Sequence, residues 1–301
     1  MRNSFRLKSD AMFERTEEIN REPPLRIVFL SVEGNKTEQD YFEWIEKYRE
    51  QLGIKARVHV HSLRRSKQDN LSAPEHVLEL LEEYIEIRES DILPERMRNL
   101  ISEEYTDNFI KQYIETPELV DVTMKDNFEL LLQQVGIDLE YDYFLKEYSG
   151  KFDVFGVLID RDYTTHSVTQ MSKIKNACME KGYHFFVTTP CFEFWLLMHL
   201  ADICSVYKDE LQEFRNNAKK SNKHTFTSFE VSKRVRHFKG IKEDTFKRYY
   251  FPKIDFAIRQ AKEHFSTNID ELIGTDDSDD TKKGDLGSNL PDLFDLLREI
   301  K

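Results

Sequence analysis

Three carboxylates stand at the ends of apolar runs in this sequence. Glu33 directly follows LRIVFLSV (25–32), and Asp160 ends FDVFGVLID (152–160), with Asp162 two positions further on. Like-charged groups that gather at buried strand ends repel one another unless a cation compensates them. Carboxylate oxygens suit Mg²⁺ or Mn²⁺, which hold a phosphate and waters alongside one or two carboxylates. The pattern therefore predicts phosphodiester chemistry, in which the metal stabilises phosphate charge and a carboxylate handles a proton.

An isolated Asp-x-Asp pair is weak evidence, because acidic residues are common in the loops that follow strands. Two more candidates lie near it in the expected fold. Glu193, in PCFEFW, either joins the site as a further acid or simply favours the first turn of its own helix. Lys36, in EGNKTE, either neutralises a phosphate or is solvated. These residues directly follow buried strands, and this position favours the functional interpretation over the structural one.

The elements that must position these residues alternate between strand and helix. Apolar β-rich runs predict four strands, and amphipathic or apolar runs predict a helix after each of them, with HVLELLEEYIEIRE (76–89) after the second. This pattern is typical of an α/β domain with a largely parallel sheet, whose functional groups gather at the carboxyl ends of the strands. The predicted strands are 25–32, 55–63, 152–160 and 183–190, and the helices include one opened by Thr37 and Glu38, 168–181 and 191–203.

Charge divides the chain into regions of opposite sign. Residues 75–142 contain 19 acidic and 5 basic residues, whereas 208–262 contains 15 basic and 7 acidic residues. We therefore predict four parts: an N-terminal arm (1–24), an α/β core (25–74 and 146–204), an acidic helical insertion (75–145) and a mostly helical, basic C-terminal region (205–301). The acidic insertion is not suited to contact nucleic acid, which assigns it to protein contact.

The basic stretch 219–253 interleaves cations with aromatic residues. A surface that follows a phosphate backbone needs Lys and Arg for charge and aromatic rings for base stacking. The alternative is that the aromatic residues anchor helices whose other face is basic. The candidate nucleic-acid contacts are Lys219, Lys220, Lys223, Lys233, Arg234, Arg236, Lys239, Lys247 and Arg248.

Composition excludes several classes of protein. The net charge of −12 argues against a protein that coats nucleic acid non-specifically. The longest apolar runs are too short to span a bilayer and the N-terminus does not resemble a signal peptide, so we expect a cytoplasmic protein that does not enter membranes. The three cysteines have no metal-site spacing and read as reduced thiols. His199, on an apolar helix face, is predicted to be a hydrogen-bonded core histidine.

Three motifs in this order resemble known proteins. EGNKTEQDYF, LIDRD and TPCFEFWLLMHL together resemble the RloB-like family, which is related to the Toprim core of topoisomerases, primases and OLD-type nucleases. The resemblance covers about residues 25–63 and 150–300. It implies a Toprim-like (Rossmann-like), mostly parallel sheet flanked by helices, and a metal-dependent nuclease of bacterial antiviral defence. It also implies an ABC-type or AAA-type ATPase partner that keeps the nuclease inactive until infection.

The resemblance also assigns roles to residues. Glu33 matches the Toprim glutamate, a general acid/base and metal ligand, and Asp160 and Asp162 match the metal-binding aspartates. Lys36 and Glu38 belong to the EGNKTE motif and are candidate catalytic residues, with Glu193 as a further metal ligand. The implied cofactor is Mg²⁺ or Mn²⁺, and the implied substrate is DNA or an RNA such as tRNA.

The acidic insertion departs from simple members of that family, which join the second and third strands more directly. It could dock the ATPase, support a homodimer, or cover the active site as a mimic of nucleic acid. A second interpretation of the whole chain is therefore a catalytically silent Toprim-like module that binds and regulates an ATPase. The three intact carboxylates favour the nuclease, because a silent domain has no need of groups that repel one another.

Overall fold

The structure is a computed structural model of the 301-residue chain. It describes residues 26–34, 36–54, 58–63, 75, 77–79, 81–82, 85, 95–101, 103–116, 119–135, 154–222, 224–235 and 240–298. The predicted N-terminal arm lies outside the described residues, as do parts of the acidic segment. The same holds for residues 55–57 of the predicted second strand.

Five strands form one sheet in the order β2-β1-β3-β4-β5. The first four strands are parallel, and the short β5 pairs antiparallel with β4. Because β2 lies on one side of β1 and β3 on the other, the direction of winding reverses between β1 and β3. Such a reversal leaves a crevice at the carboxyl ends of these two strands. The strands are β1 Arg26–Val32, β2 Val58–Leu63, β3 Val154–Asp160, β4 His184–Thr189 and β5 Gly287–Ser288.

Helices follow each of the four parallel strands, as the alternating pattern predicts. Helix α1 (Thr37–Lys47) follows β1, and three short or medium helices lie before β3: α2 Glu95–Leu100, α3 Asp107–Glu115 and α4 Val122–Val135. Helix α5 (Val168–Lys181) has the predicted bounds. It begins at a Ser167–Gln170 capping box and ends at Gly182, whose φ of 72° suits glycine.

The predicted helix 191–203 is interrupted. Helix α6 spans Phe192–Leu200, and Asp202 then accepts a hydrogen bond from the amide of Ser205, which starts a new helix, α7 (Ile203–Val206). Because the Asp202 side chain caps the start of α7, the chain leaves the helical conformation there and α6 does not continue into α7.

The C-terminal region is mainly helical. Between two of its helices the chain passes through one π-helical turn (Phe246–Tyr250) and one 3₁₀ turn (Phe251–Lys253). The helices are α8 Leu211–Asn216, α9 Phe226–Arg234, α10 Glu243–Thr245, α11 Ile254–His264, α12 Ile269–Ile273 and α13 Leu290–Arg298.

The two faces of the sheet pack against separate apolar clusters. On β1, Val28, Leu30 and Val32 belong to the larger cluster and Phe29 to the smaller one, as alternation along a strand requires. The larger cluster surrounds the buried helix α6 and includes residues of α9, α11 and α13. The C-terminal region therefore shares its core with the sheet.

The acidic segment contains a core of its own. Val77 and Leu81, near its beginning, pack in the smaller cluster on the sheet. Helices α2, α3 and α4 instead enclose a third cluster centred on Phe128, with Tyr105 and Tyr113 against its ring at 4.7 and 5.0 Å between centroids.

The mostly parallel sheet flanked by helices confirms the predicted α/β, Toprim-like fold. Among the described residues, no helix has the length and apolarity needed to cross a membrane.

Candidate active site

Glu33 and Asp160 meet at the crevice between β1 and β3. The amide of Glu33 extends the strand ladder by donating to the Leu158 carbonyl at 3.1 Å. The Glu33 carboxylate turns back across the strand ends, and its Oε2 accepts a hydrogen bond from the Asp160 amide at 3.1 Å. The two residues are 127 positions apart, so the sheet topology alone brings them together.

The surroundings of Asp160 disfavour the charged form of its carboxyl group. Burial raises the pKa of its carboxyl group well above the ordinary value, and the charges of Glu33, Glu38 and Glu193 raise this pKa further. The Thr188 hydroxyl on β4 donates a hydrogen bond to Asp160 Oδ1, which opposes the shift. The site therefore favours a neutralised Asp160, by a proton or by a cation.

Glu38 and Glu193 approach Asp160 from two helices. Glu38 lies in the first turn of α1 and is buried, and Glu193 lies in the first turn of α6. Glycine at position 34 makes room for the first of them, because a Cβ atom there would lie 1.8 Å from Glu38 Oε2. Of the predicted site residues, Glu33, Glu38, Asp160 and Glu193 are thus brought into one electrostatic cluster.

Asp162 lies differently from the other predicted ligands. Its Oδ1 accepts hydrogen bonds from the Thr164 amide at 2.8 Å and from the Thr164 hydroxyl at 2.7 Å. Its carbonyl accepts the amide of His166 at 2.8 Å. The strand ends at Asp160, so the pair is not presented on one face of a strand, and Asp162 closes the turn that follows β3.

His166 is a site residue that sequence reasoning missed. Its Nδ1 lies 2.7 Å from the Asp160 carbonyl, and its Nε2 lies 3.6 Å from Glu33 Oε1. Because a carbonyl oxygen only accepts hydrogen bonds, Nδ1 carries a proton and Nε2 faces the Glu33 carboxylate. The imidazole is buried and connects the two acidic residues. No periodicity marks this position; only its place in the turn after β3 could have indicated it.

Cys191 is a second residue that the sequence did not single out. It occupies the N-cap position of α6, and burial, with the nearby charges of Glu193 and Asp160, raises the pKa of its thiol well above the usual value. Asn217 Nδ2 donates to Cys191 Sγ at 3.5 Å. The thiol is therefore a neutral neighbour of the carboxylates.

The donor chemistry of the cluster fits a hard divalent cation. Its groups are carboxylates, and a cation near Asp160 would relieve the repulsion that raises the pKa of this residue. In the part of the chain that the structure describes, however, no three His, Cys, Asp or Glu side chains converge into a formed metal centre. The residues to hold an ion are present, and their side chains would have to turn toward it.

The segment 217–241 is attached at both ends to residues that adjoin this cluster in sequence. At one end, Asn217 contacts Cys191, and the adjoining Lys219 and Lys220 are exposed. At the other end, Ile241 donates its amide to Asp40 Oδ2 at 2.7 Å and accepts from Trp44 Nε1 at 2.5 Å, both on α1.

Lys36 lies where the second end meets α1. It occupies the N-cap position of the helix and is exposed, and its side chain lies against Gly240. The chain between Asn217 and Gly240 is thus attached near Glu193 at one end and near the loop after β1 at the other.

The candidate nucleic-acid contacts differ in their surroundings. Lys233 and Arg234 share the buried Glu230, at 2.5 and 3.7 Å, and Lys220 pairs with Glu213 at 3.7 Å. Lys219, Lys247 and Arg248 are exposed. Lys223, Arg236 and Lys239 lie outside the described residues.

Comparison with known proteins identifies the family. A family model described as RloB-like protein matches residues 28–275, most of the chain. The chain belongs to the RloB-like family. The match begins within β1, spans the other three parallel strands of this RloB-like chain, and includes Glu33, Asp160 and Glu193. Searches of curated proteins and of solved structures found no significant match.

Proposed function

We propose that the chain is a metal-dependent nuclease that hydrolyses phosphodiester bonds of nucleic acid, either DNA or an RNA such as tRNA. The observation that supports this most is the contact between Glu33 and Asp160 at the switch point of the sheet, with Glu38 and Glu193 close to Asp160. Four carboxylates at one crevice are unfavourable in the absence of a cation and useful in its presence.

Individual side chains have distinct tasks in this proposal. Asp160, Glu33 and Glu193 would hold Mg²⁺ or Mn²⁺, which supplies stabilisation of negative charge on the phosphate when bound. Glu33 moves the proton of the attacking water, and His166 keeps the Glu33 carboxylate oriented toward Asp160. Glu38 adds negative charge behind Asp160, and Lys36 offers its ammonium group to a phosphate at the crevice.

Asp162 has a secondary role in this proposal. Its Oδ1 accepts two hydrogen bonds from Thr164, which hold the carboxylate in the turn and leave Oδ2 as its oxygen for the same ion. We therefore expect replacement of Asp162 to lower activity less than replacement of Asp160.

The basic region supplies the binding surface for the substrate. Lys219 and Lys220 lie beside the contact with Cys191, and Lys36 lies beside Gly240. A nucleic-acid backbone that follows these cations passes the carboxylate cluster. Lys233 and Arg234 at the end of α9, and Lys247 and Arg248 in the π-helical turn, extend the surface.

We further propose a cellular role from the family resemblance. The nuclease is the toxic effector of an antiphage abortive-infection system and is held inactive by an ABC-type or AAA-type ATPase. The acidic segment is the candidate contact with this partner or with a second copy of the chain. Its helices have their own core and expose Leu119 and Val122, at 67% and 71%, on an acidic background.

A cleavage assay tests the proposed activity. Wild type, Glu33→Gln and Asp160→Asn are incubated with plasmid DNA and with total tRNA, in Mg²⁺, in Mn²⁺ and in EDTA. We expect wild type to cut one substrate class only with metal, and each variant to lose at least about 100-fold in rate. Asp209→Asn, an exposed acid, is the matched control and retains activity.

The same assay distinguishes the alternative function. If the isolated chain cuts neither substrate in either metal, its binding to the ABC-type or AAA-type ATPase is measured. Inactivity of the isolated chain, together with tight binding of the two proteins, would contradict the nuclease and support the silent interaction module.

A further inference from the structure

Arg161, between the two aspartates of the Asp-x-Asp motif, points away from the carboxylate cluster into the protein. Its side chain is fully buried. The guanidinium group donates hydrogen bonds to three different segments: Nε to the Ile273 carbonyl at 2.8 Å, Nη1 to the His166 carbonyl, and Nη2 to Asp277 Oδ1 at 2.6 Å. A buried arginine with every branch bonded fixes the segments that it joins.

One of these bonds reaches the active site through His166. The arginine holds the His166 carbonyl, while the imidazole of the same residue contacts the Asp160 carbonyl and faces Glu33. The position of His166, and with it the orientation of Glu33 toward Asp160, therefore depends on a group on the far side of the turn.

Asp277 joins the same turn at a second point. Its Oδ2 accepts the amide of Val168, the first residue of α5, at 2.8 Å. Next to this contact, Tyr163 donates its hydroxyl to the Gly284 carbonyl at 3.1 Å, and the Arg161 guanidinium lies 5.0 Å from the centre of the Tyr163 ring. The loop between α12 and β5 thus supports the turn from the DxD motif to α5.

We propose that Arg161 and Asp277 are positioning residues that hold the turn after β3 in the geometry required for divalent-metal binding by Glu33 and Asp160. This inference rests on the proposed function, because it assumes that these carboxylates bind a metal. It adds that the loop 274–285, which contributes no carboxylate to the cluster described above, controls the metal affinity of the site.

The test measures Mn²⁺ affinity by electron paramagnetic resonance of the free ion. Asp277→Ala leaves the buried guanidinium without its counter-charge and releases Val168. We expect its dissociation constant for Mn²⁺ to rise about 10- to 100-fold, the usual effect of losing a group that supports metal ligands. Asp280→Ala is the matched control from the same loop. Asp280 is exposed and pairs with Lys283 at 2.5 Å, and its replacement leaves the affinity unchanged.

A double variant separates positioning from general stability. Arg161→Met with Asp277→Leu replaces the ion pair by apolar groups, which often preserves folding. The Ile273 and His166 carbonyls lose their donor, so we expect this variant to fold with a lower melting temperature and to bind Mn²⁺ at least about tenfold more weakly. Wild-type Mn²⁺ affinity in the folded double variant would overturn the inference. If Asp277→Ala does not fold, Asp277→Asn replaces it.

The outcomes for this inference and for the proposed function differ. Mn²⁺ binding that is lost in Asp160→Asn but unchanged in Asp277→Ala overturns only the role of the Arg161–Asp277 pair. Absence of Mn²⁺ binding by wild type overturns the proposed function and this inference with it.

Discussion

The backbone amide of Asp160 donates its hydrogen bond to the side chain of Glu33, 127 residues earlier in the chain. This contact joins the ends of β1 and β3 at the reversal of the sheet. It places the Glu33 carboxylate against the backbone of Asp160, which carries a carboxylate of its own.

Charge repulsion at Asp160 predicts a stabilising substitution. Asparagine keeps the shape of the side chain and an acceptor for the Thr188 hydroxyl, but it removes a charge that burial and three neighbouring carboxylates disfavour. We expect Asp160→Asn to raise the melting temperature in EDTA and to abolish any further rise on addition of Mg²⁺. Differential scanning calorimetry measures both effects. A lower melting temperature in EDTA would contradict the electrostatic account.

Glycine at position 34 provides a steric test of the cluster. A methyl group there would overlap the Glu38 carboxylate, so Gly34→Ala displaces this side chain. We expect metal-dependent cleavage to fall about tenfold or more, since small displacements at an active site have large effects on rate. Asp209→Asn, which replaces an exposed acid outside the cluster, is the control. Equal loss of activity in both variants would refute the proposed steric effect.

The main elements could be predicted from the sequence because local signals agree with the final contacts. The ends of α5 are marked in the sequence by Ser167 and Gln170 at its start and by Gly182 at its end. The helix in the structure begins and ends at these residues. Apolar runs indicate the parallel strands. The carboxyl ends of parallel strands lie at one edge of the sheet. The proximity of Glu33 to Asp160 can therefore be predicted without knowing the side-chain geometry.

The support of the site could not be predicted, because it depends on long-range pairs without a sequence pattern. Arg161 stands between two acids and would be expected in solvent, yet its partner Asp277 lies 116 residues later in a polar loop. In the sequence, Asp162 is equally compatible with a metal ligand and with a turn residue. The structure shows that β3 ends at Asp160 and that Asp162 accepts hydrogen bonds within the following turn. His166 becomes part of the site only once that turn is formed.

The buried His199 should make the stability of the protein sensitive to acid. Its Nδ1 donates to the Trp195 carbonyl at 2.9 Å, and its Nε2 accepts from the Tyr41 hydroxyl at 3.1 Å, so the buried ring is neutral. Burial lowers its pKa to about 4, compared with 6.5 in a model peptide. These contacts agree with the prediction of a hydrogen-bonded core histidine.

The sign of the effect follows from proton binding. Between pH 6.5 and about 4 the unfolded chain binds a proton at His199 that the folded protein does not, so stability falls as the pH decreases. The full loss is about 3 kcal/mol, since one pKa unit corresponds to ~1.4 kcal/mol. Denaturant unfolding at pH 7 and pH 4.5 measures it. The His199→Gln variant should lose less stability than wild type over this range, and an equal loss would contradict the assignment.

The salt dependence of nucleic-acid binding tests the basic region. Lys219 and Lys220 are exposed next to the contact between Asn217 and Cys191. Replacing both with alanine should reduce the slope of log affinity against log salt by about 1.5 to 2, for two lost phosphate contacts. Lys262→Ala, which removes a surface pair with Asp295 at 2.6 Å, should leave the slope unchanged. The same slope in all three proteins would exclude Lys219 and Lys220 from the interface.

The central claim is that Glu33 and Asp160 hold the same divalent ion, and calorimetric titration with Mn²⁺ tests it most directly. Wild type, Glu33→Gln, Asp160→Asn and the double variant are compared. We predict one Mn²⁺ per chain in wild type and at least about tenfold weaker binding in each single variant. The double variant should lose less than the sum of the two single losses, because both residues serve one site. Wild-type affinity in both single variants, or no binding by wild type, would contradict the account.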